Sequence, residues 1–377
     1  MVIVGAGIAG SSLAYFLARA GVSDVVVLER ETAPAYHASG RSAQTLLELD
    51  PIDTVQRLKM LGASFLRDTR DEFCASPLLT RAGAMRLFCG AAWADLESRA
   101  SRLIDQGMRL ELLTPAETAR MVPVLDVDRF DGAAFLPDDG FIDVDALMRA
   151  YVDHAAALGV SFRFGFDVNA IETTAGRCSA VTGSSGAVEG RWIVNAAGAW
   201  AGELAARAGA SAVELRPLRR SIATFETPPE LDVARWPLVW SDADAVYFRP
   251  GFEGLLMCPM DQAPSEPCDA EPPDDVFGPA QGRLEALAPG LRLGGYRRRW
   301  AGLRTFAADG VPVVGADPDL DGFFWLAGQG GCGIETSPVL GAIAADLLTR
   351  DHTERFDARL LSPSRFVDAA GVASVEA

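Results

Sequence analysis

The stretch Met1-Val-Ile-Val-Gly5-Ala-Gly7-Ile-Ala-Gly10 opens the chain, and a helical pattern over residues 11–20 and a second apolar run over residues 25–28 follow it. This order predicts a strand, a glycine-rich turn, a helix and a second strand, which together form a βαβ unit. Gly5 permits the tight turn, Gly7 lets the backbone approach a pyrophosphate, and Gly10 lets the helix pack close to the strand. Glu29 ends the second strand, where an acid binds a ribose hydroxyl. The segment therefore predicts an adenine-dinucleotide site.

Glu29 and three later segments indicate which dinucleotide is bound. Glu29 disfavours a 2′-phosphate, and so NADP, but leaves NAD and FAD open. The second strand is followed by a loop of small residues with one arginine, and two distant apolar strands also run into glycine-rich turns and helices. The three segments are Ala35-Tyr-His-Ala-Ser-Gly-Arg-Ser-Ala43, Trp192-Ile-Val-Asn-Ala-Ala-Gly-Ala-Trp200 and Phe324-Trp-Leu-Ala-Gly-Gln-Gly-Gly-Cys-Gly-Ile-Glu-Thr-Ser337. Repeated junctions of this kind predict one parallel sheet whose carboxyl edges surround a single extended cofactor, and they favour FAD.

Composition excludes several other classes of function. The chain has 377 residues, 49% of them apolar, and its 34 Lys and Arg against 51 Asp and Glu give a net charge of -17. Such an acidic chain is a poor partner for nucleic acid or anionic lipid. With Lys59 as the only lysine, three histidines and no Cys-x-x-Cys, no pyridoxal-phosphate, P-loop or metal site is predicted. No signal peptide or membrane span is evident, so the sequence predicts a cytoplasmic protein with reduced thiols.

Scattered segments along the chain resemble the D-amino-acid oxidase superfamily of FAD enzymes, the group that includes glycine oxidase, sarcosine oxidase and bacterial D-amino-acid dehydrogenases. Among these the pattern is most similar to the D-arginine dehydrogenases. The segments are Tyr36-His-Ala-Ser-Gly-Arg-Ser-Ala43, Pro77-Leu-Leu, Val122-Pro-Val-Leu125, Val194-Asn-Ala-Ala-Gly-Ala-Trp200, Arg219-Arg-Ser221, Trp300-Ala-Gly-Leu-Arg304 and Gln329-Gly-Gly331. The resemblance implies FAD, hydride transfer from the substrate Cα to flavin N5, and an imino acid that hydrolyses to a 2-oxo acid. No cysteine occurs at residues 303–305, where sarcosine oxidase attaches its flavin, so non-covalent FAD is expected.

The predicted fold class is α/β, with a Rossmann-like FAD-binding domain interleaved with a second α+β substrate domain on a mainly antiparallel sheet. We expect the FAD-binding domain at residues 1–45, 140–215 and 300–377, and the substrate-binding domain at 46–139 and 216–299. The acidic, proline-rich segment 261–282 is expected to be a loop, either a solvated connection or a substrate lid. The expected cofactor-binding residues are Gly5, Gly7, Ile8, Ala9, Gly10, Glu29, Arg30, Ser39, Gly40, Arg41, Ser42, Val168, Ala196, Ala197, Gly198, Trp200, Arg304, Gly328, Gly330, Gly331, Cys332, Gly333 and Ile334.

An amino-acid carboxylate is best held by arginine, whose planar fork stays charged. The resemblance places Arg220, Arg304 and the phenol of Tyr247 at that carboxylate, and Arg219 should face the other way along its strand. No general base is assigned, because desolvation beside the flavin lowers the pKa of the substrate amine. His37 is expected to pack against the cofactor loop rather than to act in catalysis, and His154 is expected at the surface.

The expected substrate pocket departs from the D-arginine dehydrogenase pattern. It comprises Thr45, Ala84, Leu238, Trp240, Gly331 and Glu335, with Ala84 where that enzyme has an acid that selects a cationic side chain. A buried cation without a partner is costly, so a neutral or apolar D-amino acid is favoured, although Glu335 leaves basic substrates open. The alternatives are a secondary amine, N-methylated or cyclic, a 2-hydroxy acid, and a non-catalytic flavin-binding protein. The electron acceptor, oxygen, quinone or another, is left open.

Overall fold

A computed structural model describes residues 1–210, 213–227, 229–251 and 254–367. Its α-helices are α1 (Ile8–Arg19), α2 (Asp53–Arg67), α3 (Ala91–Asp105), α4 (Pro115–Met121), α5 (Val144–Ala157), α6 (Ala201–Ala208), α7 (Phe277–Leu287) and α8 (Gly333–Arg350). Short 3-10 helices span Val127–Arg129, Gly198–Trp200 and Ala358–Leu360. None of the helices within the described ranges is long and apolar enough to cross a membrane.

The strands are β1 (Val2–Val4), β2 (Val26–Leu28), β3 (Thr45–Leu46), β4 (Leu79–Thr80), β5 (Ala84–Phe88), β6 (Glu111–Leu113), β7 (Gly132–Leu136), β8 (Gly140–Ile142), β9 (Ser161–Arg163), β10 (Val168–Thr174), β11 (Arg177–Gly183), β12 (Gly186–Glu189), β13 (Ile193–Asn195), β14 (Leu215–Phe225), β15 (Leu238–Ser241), β16 (Val246–Pro250), β17 (Leu255–Cys258), β18 (Ala263–Pro264), β19 (Tyr296–Ala307), β20 (Val313–Ala316) and β21 (Phe323–Ala327).

The first sheet has the order β20-β21-β13-β1-β2-β9 and is parallel except for β20, which pairs antiparallel with β21. Its strands are short and apolar because both faces are covered. Ile3 packs among residues of α1 and α8, such as Leu13 and Leu340. Val2 and Val4 face the opposite side, where they join an apolar cluster with the antiparallel β10-β11-β12 sheet. The predicted parallel sheet around a βαβ start is confirmed.

The second sheet runs β18-β14-β17-β16-β15-β5-β7-β6, and β19 pairs with β14 along its length. The pairs are antiparallel except for β15 with β5. Helix α7 packs its Phe277 and Leu284 against one face of this sheet. The structure confirms the predicted α/β class with an antiparallel second sheet.

We propose the two domains at the predicted boundaries, with the two sheets as their centres. The strands of the first sheet all fall within 1–45, 140–215 and 300–377, and those of the second begin or lie within 46–139 and 216–299, except β14, which starts at Leu215. Residues 368–377 lie outside the described part of the chain.

Two local expectations are revised by the structure. The segment 261–282 is not a loop throughout, because helix α7 begins at Phe277 and buries its apolar side against the second sheet. His154 is not a free surface residue, because its Nε2 lies 2.9 Å from the carbonyl oxygen of Phe73 and its ring stacks on that phenylalanine.

Candidate active site

Two adjoining cavities lie where the carboxyl ends of the parallel strands meet the second sheet. Cavity A has a volume of about 380 Å³ and follows the ends of β1, β2 and β13. Cavity B has a volume of about 200 Å³ and lies between the end of β21, strand β19 and the inner face of the second sheet. Gly7, Ser39, Arg41, Ala196 and Gly198 line both, so the two form one elongated cleft. Ligands of open α/β sheets bind at this edge.

The turn after β1 accepts only glycine at two positions. Gly5 has a φ of +108°, and a Cβ there would lie 2.4 Å from the carbonyl oxygen of Ala196. A Cβ on Gly10 would lie 1.9 Å from the carbonyl oxygen of Gly5. Helix α1 then begins with Gly7 as its N-cap, which has no side chain to cap the helix. The positive end of the helix dipole therefore faces the shared part of the cleft, as a pyrophosphate site requires.

The far end of cavity A is shaped by Glu29 and an aromatic cluster. The Glu29 carboxylate accepts hydrogen bonds from the backbone N–H of Ala6 (2.7 Å) and of Glu31 (3.0 Å), which fixes it against the cavity. The Arg30 guanidinium lies over the Trp200 ring, and the His37 ring packs against the same indole. Nε2 of His37 lies 2.9 Å from a carboxylate oxygen of Glu31. His37 thus packs in the cofactor loop, as expected.

The wall of cavity B contains positive charges and unpaired polar groups. Arg220 and Arg304 both line it, together with Tyr247. Burial, and next the neighbouring Arg220, lower the pKa of Arg304 to about 10. Among the residues that the structure describes, buried polar atoms without a hydrogen-bond partner include Arg220 Nε, Arg304 Nε, Ser42 Oγ, Thr305 Oγ1 and Gln329 Nε2, and all five residues line this cavity. Buried donors without partners indicate where a polar ligand binds.

Tyr247 and Trp240 form one wall of cavity B. Their rings stack with centroids 4.5 Å apart. Burial, and to a smaller extent the Cys258 thiol, raise the pKa of Tyr247 well above its usual value, so the phenol stays a neutral hydrogen-bond donor. A cavity lined by both an aromatic wall and two guanidiniums suits a ligand with one anionic end and one apolar end.

The structure brings together only some of the residues expected in the substrate pocket. Thr45, Trp240, Gly331 and Glu335 line cavity B, but Ala84 and Leu238 do not. Strands β5 and β15 pair so that Leu238 lies beside Ala84, and both residues are fully buried in the apolar cluster behind Tyr247. The structure therefore does not bring these two residues to the wall of cavity B.

Glu335 does line cavity B, but it is not an isolated charge. Its Oε1 lies 3.0 Å from Nζ of Lys59, which also lies 2.9 Å from Oδ2 of Asp50. Burial raises the pKa of Glu335, and the nearby Lys59 partly opposes that shift. The sequence analysis did not identify Lys59 as part of the site. The signal that could have identified it is that the only lysine of the chain occupies an apolar position of α2.

A family model described as FAD dependent oxidoreductase matches residues 1–347. The chain belongs to this family. The cofactor is therefore FAD, which settles the choice that Glu29 had left open.

Individual relatives are distant but cover much of the chain. The chain is 26% identical to a 4-methylaminobutanoate oxidase (formaldehyde-forming) of Paenarthrobacter nicotinovorans, over 97% of this chain and 45% of that protein. It is 28% identical to a glycine oxidase of Geobacillus kaustophilus, over 71% of this chain and 68% of that protein. It is 25% identical to a mitochondrial dimethylglycine dehydrogenase of Rattus norvegicus, over 97% of this chain and 44% of that protein. The chain thus spans less than half the length of the first and third of these proteins.

Solved structures share the fold. The L-proline dehydrogenase of P. horikoshii superposes with a TM-score of 0.86 at 22% identity, over 98% of this chain and 97% of that one. The glycine oxidase of Geobacillus kaustophilus superposes with a TM-score of 0.81 at 24% identity, over 97% of this chain and 98% of that one.

The cleft of this FAD-dependent oxidoreductase fits FAD along its length. The glycine turn suits the pyrophosphate, and Glu29 suits the ribose. The neutral unpaired groups of cavity B, on Ser42, Thr305 and Gln329, suit the polar edge of the flavin ring. Of the expected cofactor residues, the following line the cleft: Gly5, Gly7, Ile8, Ala9, Glu29, Arg30, Ser39, Arg41, Ser42, Val168, Ala196, Ala197, Gly198, Trp200, Arg304, Gly328, Gly330, Gly331, Gly333 and Ile334.

Gly10, Gly40 and Cys332 line neither cavity. Gly10 packs the helix on the turn, and a Cβ on Gly40 would lie 2.4 Å from the carbonyl oxygen of Ala35. The Cys332 thiol turns inward and donates to the carbonyl oxygen of Gln329. Burial raises the pKa of this thiol to about 12.

The loop before α7 covers part of cavity A. Arg41 is paired with Asp269 and donates to the carbonyl oxygen of Ala270 (3.0 Å). Pro267, Cys268 and Ala270 line cavity A. The segment is therefore not merely a solvated connection, because it closes one side of the cofactor cleft.

Proposed function

We propose that this protein oxidises the carbon–nitrogen bond of a small amino acid, with a neutral or apolar D-amino acid as substrate. The observation that carries the proposal is the pair of guanidiniums of buried Arg220 and half-buried Arg304, whose Nε atoms are buried and unpaired in a cavity continuous with the FAD cleft. Two neighbouring cations held largely away from water favour an anionic ligand, and the carboxylate of an amino acid supplies one. Resemblance to D-amino-acid dehydrogenases supports the D configuration.

Each residue has a defined part in this proposal. Arg220 and Arg304 bind the carboxylate, and the neutral phenol of Tyr247 donates a hydrogen bond to it. Trp240 packs against the apolar part of the substrate and excludes water. Bound FAD, held without a covalent link, supplies the two-electron acceptor for the hydride on the carbon next to nitrogen. The imino acid released then hydrolyses to a 2-oxo acid.

A second candidate is an N-methyl amino acid. Two of the relatives are named for such substrates, a 4-methylaminobutanoate oxidase and a dimethylglycine dehydrogenase. Arg220 and Arg304 would bind the carboxylate of such a substrate equally well. The carbon that is oxidised would be the methyl group or the chain carbon bonded to the same nitrogen.

Product analysis distinguishes the two candidates. Purified holoprotein is incubated with an artificial dye as electron acceptor and with single compounds: paired D- and L-forms of alanine, valine and phenylalanine, and sarcosine, dimethylglycine and 4-methylaminobutanoate. The proposal predicts ammonia and a 2-oxo acid from the neutral D-amino acids. Formaldehyde or methylamine from the N-methyl compounds alone would instead establish the second candidate, and turnover of L-forms alone would overturn the stereochemical assignment.

The six cysteines carry no disulfide among the described residues. Together with the expectation from sequence, this supports our proposal of a cytoplasmic location.

A further inference from the structure

Glu335 occupies the first turn of α8, and its side chain is only 7% exposed. It lines the same cavity B as Arg220 and Arg304. Cavity B therefore has a carboxylate as well as two guanidiniums on its wall.

All three hydrogen-bond donors of the Lys59 ammonium have acceptors, and two of these acceptors are carboxylates. Its Nζ lies 3.0 Å from Glu335 and 2.9 Å from Asp50, and it donates to the carbonyl oxygen of Leu47 (3.1 Å). The backbone N–H of Leu47 donates to the other oxygen of Glu335 (3.2 Å). One ammonium between two carboxylates leaves an excess of one negative charge when both acids are ionised. The member of this cluster that lines the cavity is Glu335.

The groups around the cluster do not neutralise that charge. The Cys332 thiol stays protonated because burial raises its pKa to about 12. The neighbouring guanidinium, Arg67, is engaged with Glu48 (2.9 Å) and Asp139 (2.6 Å). Burial, and next the charge of Glu48, raise the pKa of Asp139, and Glu335 adds to that shift.

We propose that Glu335 determines specificity by binding the positively charged nitrogen of the substrate, so that cavity B selects zwitterions. The inference rests on the proposed function, since Arg220 and Arg304 hold the carboxylate end. Lys59 is a positioning residue that orients Glu335 and opposes the burial that raises the pKa of this carboxyl, and Asp50 holds Lys59 from the other side of its ammonium. The nitrogen is positive in the ammonium form that enters, releases one proton to solvent before the hydride leaves Cα, and is positive again in the iminium form of the product, so a carboxylate stabilises the two charged forms.

Two pairs of inert ligands isolate the contribution of the charge. 2-Aminoisobutyrate has no hydrogen on Cα, so it cannot be oxidised there, and pivalate is its isostere with a methyl group in place of the ammonium. Glycine betaine has a quaternary nitrogen, and 3,3-dimethylbutanoate is its isostere with carbon in that place. Binding to the oxidised holoprotein is followed by the perturbation of the visible flavin spectrum. The proposal predicts that at least one zwitterion binds roughly tenfold more tightly than its isostere.

Variants then assign the preference to the cluster. Glu335→Gln keeps the size of the side chain and should reduce the preference to within about twofold, while affinity for pivalate or 3,3-dimethylbutanoate does not fall. Asp50→Asn, which does not touch the ligand, should weaken the preference through the charge alone. Glu48→Gln is the matched control, because it removes a buried carboxylate of the adjacent cluster that does not line cavity B, and it should keep the preference.

The outcomes separate this inference from the proposed function. Carboxylates that bind with no preference for either zwitterion, or a preference that survives in Glu335→Gln, would overturn the assignment of Glu335 and leave the carboxylate site intact. Absence of binding by all four ligands would contradict the carboxylate site itself and therefore both proposals. If Glu335→Gln does not fold, Asp50→Asn decides: an undiminished preference there contradicts the inference.

Discussion

At the scale of single residues, the chemistry depends on charges that the fold holds away from water. Arg304 is half-buried with its Nε atom buried and unpaired, and it donates a hydrogen bond to a neutral partner, the amide oxygen of Gln262, at 2.9 Å. Arg220 is buried, and its Nη1 is 3.6 Å from the Cys258 sulfur. Guanidiniums kept in this state are costly for stability and bind an anion strongly.

Replacing Arg304 tests this directly. Arg304→Met should lower kcat/KM for an amino-acid substrate ~100-fold, because truncating one partner of a buried charge pair costs about 3 kcal/mol. The flavin content, measured from the visible spectrum, should change little. Arg219→Met is the control, since Arg219 lies next to Arg220 on β14 but does not line cavity B, and it should stay within about threefold of wild type. An Arg304→Met enzyme with normal kcat/KM would contradict the carboxylate site.

The phenol of Tyr247 is expected to act as a neutral donor. Because burial raises its pKa well above 10.0, the protonated phenol persists as pH rises and no loss of activity from its ionisation should occur up to about pH 10. Tyr247→Phe should lower kcat/KM about tenfold without changing the shape of the pH profile, as expected for one hydrogen bond to a charged group. A basic limb that disappears in the variant would show instead that Tyr247 titrates.

At the scale of elements, close approach of backbones shapes the cofactor site. The first turn and helix α1 meet so closely that a side chain at Gly10 has no space. Helix α2 likewise meets the start of α8, where a Cβ on Gly62 would lie 1.9 Å from the carbonyl oxygen of Glu335. These contacts set the positions of the α1 N-terminus and of Glu335 relative to the cleft.

Gly10→Ala should yield protein that cannot retain FAD, because its methyl group would displace α1 from the turn that binds the pyrophosphate. The measurement is the ratio of visible flavin absorbance to protein after purification and after reconstitution with excess FAD. Gly202→Ala in α6 has nothing within 4 Å of the added methyl group and should keep full flavin content. Equal flavin content in both variants would refute the role of the turn.

Lys59→Met should destabilise the holoprotein by about 3–5 kcal/mol, because it leaves the buried carboxylates of Glu335 and Asp50 without their cation. Arg57→Met, an exposed change on the same helix, should cost less than about 1 kcal/mol. Chemical unfolding of both variants measures the difference. If Lys59→Met lowers the free energy of unfolding no more than Arg57→Met does, the cluster carries little charge, and that result would count against the inference about Glu335.

Local patterns predicted the βαβ start and many of the residues that line the cleft. The spacing of Gly5, Gly7 and Gly10 dictates the turn, so the βαβ start followed from neighbouring residues alone. The position of Ala84 and Leu238 away from cavity B depends on the register between β5 and β15, which no local pattern fixes. The contact of Lys59 with Glu335 joins residues far apart in the chain and requires the packing of α2 on α8.

At the scale of the whole molecule, function depends on how the two sheets meet. The parallel sheet contributes the glycine turns, and the second sheet brings Arg220, Tyr247 and Arg304 to cavity B. The pairing of Arg41 with Asp269 ties the loop before α7 to the cofactor segment and closes the cleft from one side. The cofactor cleft and the proposed substrate site are therefore parts of one cavity system.

We expect this cleft to bind FAD and to deliver an amino acid to it. The most direct measurement is the visible spectrum of the purified protein, kept free of oxygen, while neutral D-amino acids are added singly. We predict a yellow protein whose flavin absorbance bleaches on adding at least one of them. A protein that takes up no FAD, or a flavin that neither these compounds nor any N-methyl amino acid reduces, would contradict the account.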